Sequence, residues 1–186
     1  MTDAREHTVT LRAAAGGDDV ALAAVVRLYH DRVYRFGLRV CRDGFDADDA
    51  VQHAFIQLSR RPDVVEHRGT LSWLIQVVRT QCLRLLRPLQ RDRRKLGERA
   101  DPDDAPSPNE GPESALQRWE LVRQVHEAIA RLDRPYREVL VLRDLEGLSG
   151  AETCDALALE SSVMKVRLHR ARQMLRKTIT AGRVDH

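Results

Sequence analysis

Between Ser149 and Lys177 the chain concentrates groups able to bind an anion: Lys165, Arg167, His169, Arg170, Arg172 and Arg176, with hydroxyls at Ser161 and Ser162 just ahead of them. Cations and hydroxyls at helical spacing perform no covalent chemistry, but they hold phosphate oxygens and reach base edges. At about 100° per residue, Met164, Leu168, Ala171 and Leu175 share one apolar stripe, the expected core face. Ser162, Lys165, His169, Arg172 and Arg176 cluster opposite it, with Arg167 and Arg170 on the flanks. An ordinary solvated basic helix would look much the same. The residues upstream separate the two readings. Ser149 and Glu152 have the spacing of a capping box and open a short helix to about Ala156 or Leu157. A turn over Ala158 to Ser161 leads into the basic helix. Short helix, tight turn and longer basic helix form a helix-turn-helix pattern, whose second helix enters the DNA major groove.

A second cationic run lies near the middle of the chain. A helix expected from about Leu71 to Leu86 turns Trp73, Leu74, Val77, Val78, Gln81, Cys82 and Leu85 inward and leaves Gln76, Arg79, Thr80, Leu83, Arg84 and Arg87 outside. Pro88 is expected to interrupt it, and Arg91, Arg93, Arg94 and Lys95 follow. Nucleic acid is the natural counterpart of such a run, set against a solvated tail. Before it, Asp46 is read as the cap of DADDAVQHAFIQL. Ala47, Val51, Ala54, Phe55 and Leu58 form the buried stripe there, and Asp48, Asp49, Gln52, His53 and Ile56 the other face. An acidic, polar surface around one exposed isoleucine is a candidate protein-binding face, with an ordinary solvated face as the plain alternative.

The elements that carry these groups are all helical. From Val20 to Val40 the apolar residues recur at helical spacing, as two helices or as one broken near His30 and Asp31, entered at Gly16-Gly17-Asp18. Pro62 is expected to end the next helix. Residues 101–114, DPDDAPSPNEGPES, are rich in proline and acid and poor in apolar side chains, the composition of a linker. Beyond it, one helix runs from about Ser114 to Leu132, with Leu116, Trp119, Leu121, Val122, Val125 and Ile129 apolar. A second, capped by Asp133, reaches about Leu145. The expected fold class is therefore all-α: two small helical domains, residues 1–94 and 114–186, joined by a flexible acidic, proline-rich linker over 95–113, the second domain containing the helix-turn-helix.

Composition agrees. The 186 residues are 42% hydrophobic and 32% charged, enough for a core under a soluble surface. A net charge of +3 conceals the local asymmetry between basic helices and acidic linker. No apolar run could span a bilayer, so no membrane insertion is expected, and the N-terminus lacks a signal peptide's apolar core. A cytoplasmic protein is expected. Cys41, Cys82 and Cys154 have no CxxC spacing and read as buried free cysteines rather than a disulfide framework. No Walker lysine loop, GxGxxG, GxSxG or HExxH occurs, and the seven histidines are scattered. Adjacent carboxylates such as Asp48 and Asp49 do not converge on one point. No catalytic residue, metal site or cofactor is expected, and the chain reads as a binding protein rather than an enzyme.

Nearly the whole chain resembles the two-domain, extracytoplasmic-function sigma factors of bacterial RNA polymerase. DADDAVQHAFIQL is similar to that family's acidic "DAEDLVQEVF" helix, which binds the clamp helices of core polymerase. GTLSWLIQVVRTQCLRLLR resembles its "FRAWLFRIARNLALDRLR" segment, which engages the −10 element. LEGLSGAET and KVRLHRARQML are the most specific parts of a stretch resembling the −35-reading domain. The sequence departs from the family's usual pattern in four places: His53 stands for a glutamate, Thr80 for an asparagine, Ala158 for a frequent glycine in the turn, and Val166 for a small polar residue on the recognition helix.

The resemblance implies promoter-specific initiation, with core RNA polymerase and promoter DNA as partners and an anti-sigma factor as a further candidate. It assigns polymerase binding to Asp48, Asp49, Gln52, His53 and Ile56. It assigns the −10 element to Arg68, Gln76, Arg79, Thr80, Arg84 and Arg87, the loop from Glu66 to Thr70 helping to trap an unstacked base. The −35 element falls to Ser161, Ser162, Lys165, Val166, Arg167, His169, Arg170 and Arg172. A linker of about 20 residues extends to about 65–70 Å, and elements roughly 17 base pairs apart are separated by about 58 Å, so the tether spans them. Two alternatives remain: an autonomous helix-turn-helix regulator, and a sigma-like protein that only titrates polymerase or partners.

Overall fold

The computed structural model describes residues 10, 13–14, 16–41, 43–61, 69–89 and 112–182, with side chains described throughout these except at 87–89, 112–118 and 181–182. Helix α1 spans Asp19–Cys41, α2 Gly44–Ser59 and α3 Thr70–Leu89. After the undescribed stretch, α4 spans Pro112–Ala130 and α5 Arg134–Leu140, which runs on as a single π-helical turn over Val141–Leu145. Helices α6, Gly150–Leu157, and α7, Ser161–Gly182, complete the chain. Strands are absent among the described residues.

Helix α1 starts where the sequence suggests. Gly17 takes a positive φ of 87°, open to glycine at no steric cost. Asp18 Oδ1 then accepts from the backbone N–H groups of Val20 and Ala21. The break expected at His30 and Asp31 is not there. Val25, Tyr29, Val33, Phe36 and Val40 keep one unbroken inward stripe, while His30 and Asp31 lie outside and pair with each other at 3.1 Å. Helix α2 is capped by Asp43 rather than by the expected Asp46. Asp43 Oδ1 accepts from Phe45 and Asp46 N–H, so the helix begins three residues earlier. The Asp46 carboxyl is instead pushed above its usual range, first by burial and then by Asp43 and Asp49. Pro88 does not interrupt α3, which continues to Leu89. A proline this close to the end forfeits little of the hydrogen-bond ladder.

Helices α1, α2 and α3 pack pairwise into a three-helix group. Its core is built from Phe36, Val40, Val51, Leu58, Leu74 and Val78, all buried. Contrary to the sequence reading, Cys41 and Cys82 are joined by a disulfide, their Cα atoms 4.8 Å apart. The bond ties the end of α1 to the middle of α3. Its partners are 41 residues apart, a separation that carries no local spacing signal. Cys154 is free, as expected, but only half-buried.

In the second group α7 packs against α4, α5 and α6. Ile129, Leu132, Val139, Leu142, Leu148, Ala156, Met164, Leu168 and Ala171 are buried there. The apolar pattern expected along α4 is realised only at its C-terminal end: Ala128, Ile129 and Leu132 are buried, whereas Trp119 and Leu121 are exposed. Asp133 stands at the cap of α5 but makes no side-chain cap hydrogen bond. Pro135 sets the first turn, and the Asp133 carbonyl accepts from Tyr136 and Arg137 N–H.

The two groups pack against each other. Helix α3 meets α6, and α1 meets the π-helical turn. Ser72 donates its hydroxyl to the Glu152 carbonyl at 3.1 Å. Glu146, whose side chain is only 2% exposed, receives Arg35 through two nitrogens at 3.2 and 3.1 Å. The Arg32 guanidinium donates to the Glu146 carbonyl at 2.6 Å, and Arg39 Nη1 lies 3.9 Å from Glu146 Oε1. Of the expected linker over 95–113, only the last two residues are described, and they already belong to α4.

Candidate nucleic-acid and polymerase interface

The helix-turn-helix is built as its residues dictate. The Ser149 hydroxyl accepts from Glu152 N–H at 3.2 Å, and Glu152 Oε2 accepts from Ser149 N–H at 2.8 Å. That is the complete capping box. Bonding from the Ser149 hydroxyl first, and from its backbone second, holds the Glu152 carboxyl below its usual range. Ala158 closes α6 in the left-handed region, with φ 52° and ψ 55°. It is the only non-glycine residue with positive φ among the described residues. A Cβ in that region costs about 1–2 kcal/mol, which capping, the Leu159 N–H bond to the Cys154 carbonyl and the burial of Leu157 must offset.

Burial of Met164, Leu168 and Ala171 fixes how α7 is rotated. At 3.6 residues per turn, the direction opposite that stripe falls between Val166 and Gln173. Ser161, Ser162, Lys165, Val166, His169 and Arg170 are exposed, and Arg167 is half-buried. Gln173 Nε2 lies 3.0 Å from His169 Nε2. Arg172 is turned aside: its Nε and Nη2 donate to the two carboxylate oxygens of Asp144 at 2.8 and 2.6 Å. That contact raises the already high pKa of Arg172. The structure therefore moves the centre of the outward face from the Lys165–Arg172 line expected from sequence towards Val166 and Gln173. The shift follows from the angles themselves, since the same stripe projected at about 100° per residue puts Lys165 and Arg172 on its shoulder. What a projection of α7 alone does not include is Asp144, on the neighbouring π-helical turn, which takes Arg172.

The candidates on α3 do not all share one environment. Gln76, Thr80 and Arg84 are exposed, and the Thr80 hydroxyl donates to the Gln76 carbonyl at 2.8 Å. Arg79 faces the second helical group, its Nε 3.0 Å from Glu138 Oε2, and the Glu138 side chain is 2% exposed. Glu138 also has Arg134 Nε at 3.6 Å. Arg87 lies within α3 with its side chain undescribed. Arg68, like the loop from Glu66 as far as that residue, falls outside the described residues.

On α2, Asp48, Asp49, Gln52 and Ile56 are exposed together, as expected. His53 is not. It turns half-buried towards α3, with Gln81 Nε2 2.9 Å from its Nδ1 and Gln57 Nε2 3.3 Å from its Nε2. Its place on the outward face is taken by a residue the sequence reading missed. Phe45 is 74% exposed and shares one stripe with Asp49, Gln52 and Ile56, at steps of four, three and four residues. Extending the helix past Asp46 to its true start would have found it. Grouped metal-binding side chains are absent among the described residues.

Comparison with known proteins places the chain in a family. Residues 25–92 match the family model "Sigma-70 region 2" and residues 122–175 match "Sigma-70, region 4". The chain is 31% identical over 175 residues to the ECF RNA polymerase sigma factor SigE of Mycolicibacterium smegmatis, covering 92% of this chain and 67% of that protein. Among solved structures, CnrH in complex with the cytosolic domain of CnrY superposes with a TM-score of 0.67 at 24% identity, over 94% of this chain and 97% of that one. The sigma factor RpoE in complex with the anti-sigma factor NepR, from Bartonella quintana, gives 0.65 at 18% identity, over 85% and 96%. With both regions present in order on an all-helical scaffold, and a relative matched over most of its length, the chain belongs to the ECF class of RNA polymerase sigma factors, which direct transcription initiation.

Proposed function

We propose that α2 docks core polymerase through Phe45, Asp48, Asp49, Gln52 and Ile56, that α3 engages the −10 element through Gln76, Arg79, Thr80 and Arg84, and that α7 reads the −35 element. The observation that supports this most is the rotation of α7. Its apolar stripe is spent on the second helical group, and Ser162, Lys165, His169 and Arg170 are left exposed on a helix held by a capped partner and a tight turn. Lys165 and Arg170 suit phosphates, while Ser161 and Ser162, at the start of the helix, suit base edges. Arg172 serves a different role. Its bidentate bond to Asp144 ties the recognition helix to the turn that leads into Glu146.

In this reading residues 1–94 and 114–186 act as separate domains on a linker over 95–113. Arg79 reaches −10 DNA only once its contact with Glu138 opens. The chain acts through binding, the polymerase performs the chemistry, and both work in the cytoplasm. RpoE is in complex with the anti-sigma factor NepR, and a comparable partner here would act on the two helical groups of this chain.

Transcription in vitro with sigma-free core polymerase tests the proposal. Added protein should give promoter-dependent transcripts, with permanganate-reactive thymines at the −10 region. Asp49→Arg should reduce core binding by at least about tenfold, for roughly 1.4 kcal/mol of lost docking energy. Core binding without thymine reactivity would leave a titrating protein instead, and DNA binding without core association an autonomous regulator.

A further inference from the structure

We propose that the −35 reader of this chain recognises a thymine methyl group, and that Val166 is the residue that reads it. The inference rests on the assignment of α7 as the −35 recognition helix and adds the chemistry of its central contact.

The buried stripe of α7 places Val166 close to the middle of the outward face, where it is 50% exposed. Val163, one turn earlier, is also exposed. Cations stand on either side: Lys165 on one flank and Arg170 on the other, both exposed. The arginine that a helical projection puts in line with Lys165, Arg172, is held by Asp144. The surface offered to a partner is thus an apolar patch of Val163 and Val166 at the centre, bordered by the polar Ser162, His169 and Gln173 and rimmed by Lys165 and Arg170.

Charge complementarity selects the partner. A positive rim seats on a polyanion, and DNA phosphates line both walls of the major groove. Once the rim is seated, the centre of the face meets the groove floor. A valine there makes no hydrogen bond, so a donor or acceptor opposite it would lose water without replacement. The floor carries a single apolar group, the C5 methyl of thymine. Contact between that methyl and the valine methyls removes apolar surface from water on both sides. Val163 lies about 5–6 Å from Val166 between Cβ atoms, so it borders the same methyl or that of the next base pair.

The test uses holoenzyme assembled from the full chain and core polymerase. Duplexes are selected from a pool randomised over the −35 region, then remade with deoxyuridine for thymidine at one position at a time. Deoxyuridine pairs identically and lacks only the methyl. At one or two positions wild-type affinity should fall about fourfold, the effect of one methyl group left in water. Val166→Ala, a favourable helix residue at an exposed site, should bind thymine and uracil duplexes equally there, with its salt dependence unchanged.

Equal affinity of the wild type for thymine and uracil at every position overturns the proposal, as does a Val166→Ala protein that keeps the full ratio. A variant that loses core-polymerase affinity while its thymine preference persists assigns Val166 to a protein contact and also overturns it. Absence of any enriched sequence or salt-sensitive binding would bring down the −35 assignment itself, which is a different outcome from enrichment without a methyl effect.

Discussion

Arg79 on α3 places its Nε 3.0 Å from Glu138 Oε2 on α5, and so joins a cation of the first helical group to a nearly dry carboxylate of the helix-turn-helix group. Glu146 does the same for Arg35. Both carboxylates are supplied by the second group of helices and both cations by the first. The packing of the two groups therefore depends on charge pairs as well as on the apolar contacts of α3 with α6.

These pairs predict a specific weakness. Removing one partner of a buried ion pair leaves the other uncompensated, at about 3–5 kcal/mol, and less where one side chain is partly solvated, as Arg35 is. Glu146→Gln should weaken the docking of the two groups by about 2–3 kcal/mol. Small-angle scattering should show a larger radius of gyration, and amide exchange should quicken in the Val141–Leu145 turn while α2 stays protected. Glu138→Gln should release Arg79 and raise the salt-sensitive affinity of the protein for single-stranded −10 DNA.

The cap of α6 carries a pH signature. The carboxyl of Glu152 is held below its usual range in the folded chain, so the unfolded chain binds more protons across that interval. The stabilisation is fully present above the ordinary carboxylate pKa and is lost as pH falls through the lowered folded value. Ser149→Ala should lower the unfolding free energy by about 1 kcal/mol at pH 7. In urea titrations the gap between wild type and Glu152→Gln should narrow as the pH drops below about 4, near the carboxylate reference value.

Ala158 offers the opposite sign. Its left-handed backbone suits glycine better than alanine, so Ala158→Gly should raise stability by about 0.5–1 kcal/mol. A higher urea midpoint with an unchanged slope is the expected result. A lower midpoint would mean that the alanine methyl makes a contact worth more than its strain.

The exposed Phe45 makes a prediction about docking alone. Phe45→Ala should leave the unfolding midpoint unchanged within about 0.5 kcal/mol, as for surface positions generally. It should weaken core polymerase binding by about 1–3 kcal/mol if the aromatic ring anchors the α2 face. Titration of labelled protein with core enzyme gives the second quantity.

The disulfide makes a prediction about the first group. Cross-linking Cys41 to Cys82 closes a loop of about 40 residues, for which chain entropy gives roughly 3–4 kcal/mol. Reduction should lower the unfolding free energy of α1–α3 by that order, read as a lower urea midpoint, and alkylation after unfolding should label three cysteines in place of one.

The sequence by itself determined the helical fold class, the order of the elements, the Ser149–Glu152 cap and the turn at Ala158. Each of these is set by interactions within a few residues: apolar periodicity, a side chain reaching its own backbone, a single dihedral. Only the tertiary structure decided which outward side chains remain outward. His53 turned to Gln81, Arg79 to Glu138 and Arg172 to Asp144, because each met a polar partner from another element that a single-helix projection does not contain. Cys41 and Cys82 paired for the same reason. A face is defined by what packs beside it as much as by its own spacing, and those neighbours are brought together only when the helices dock.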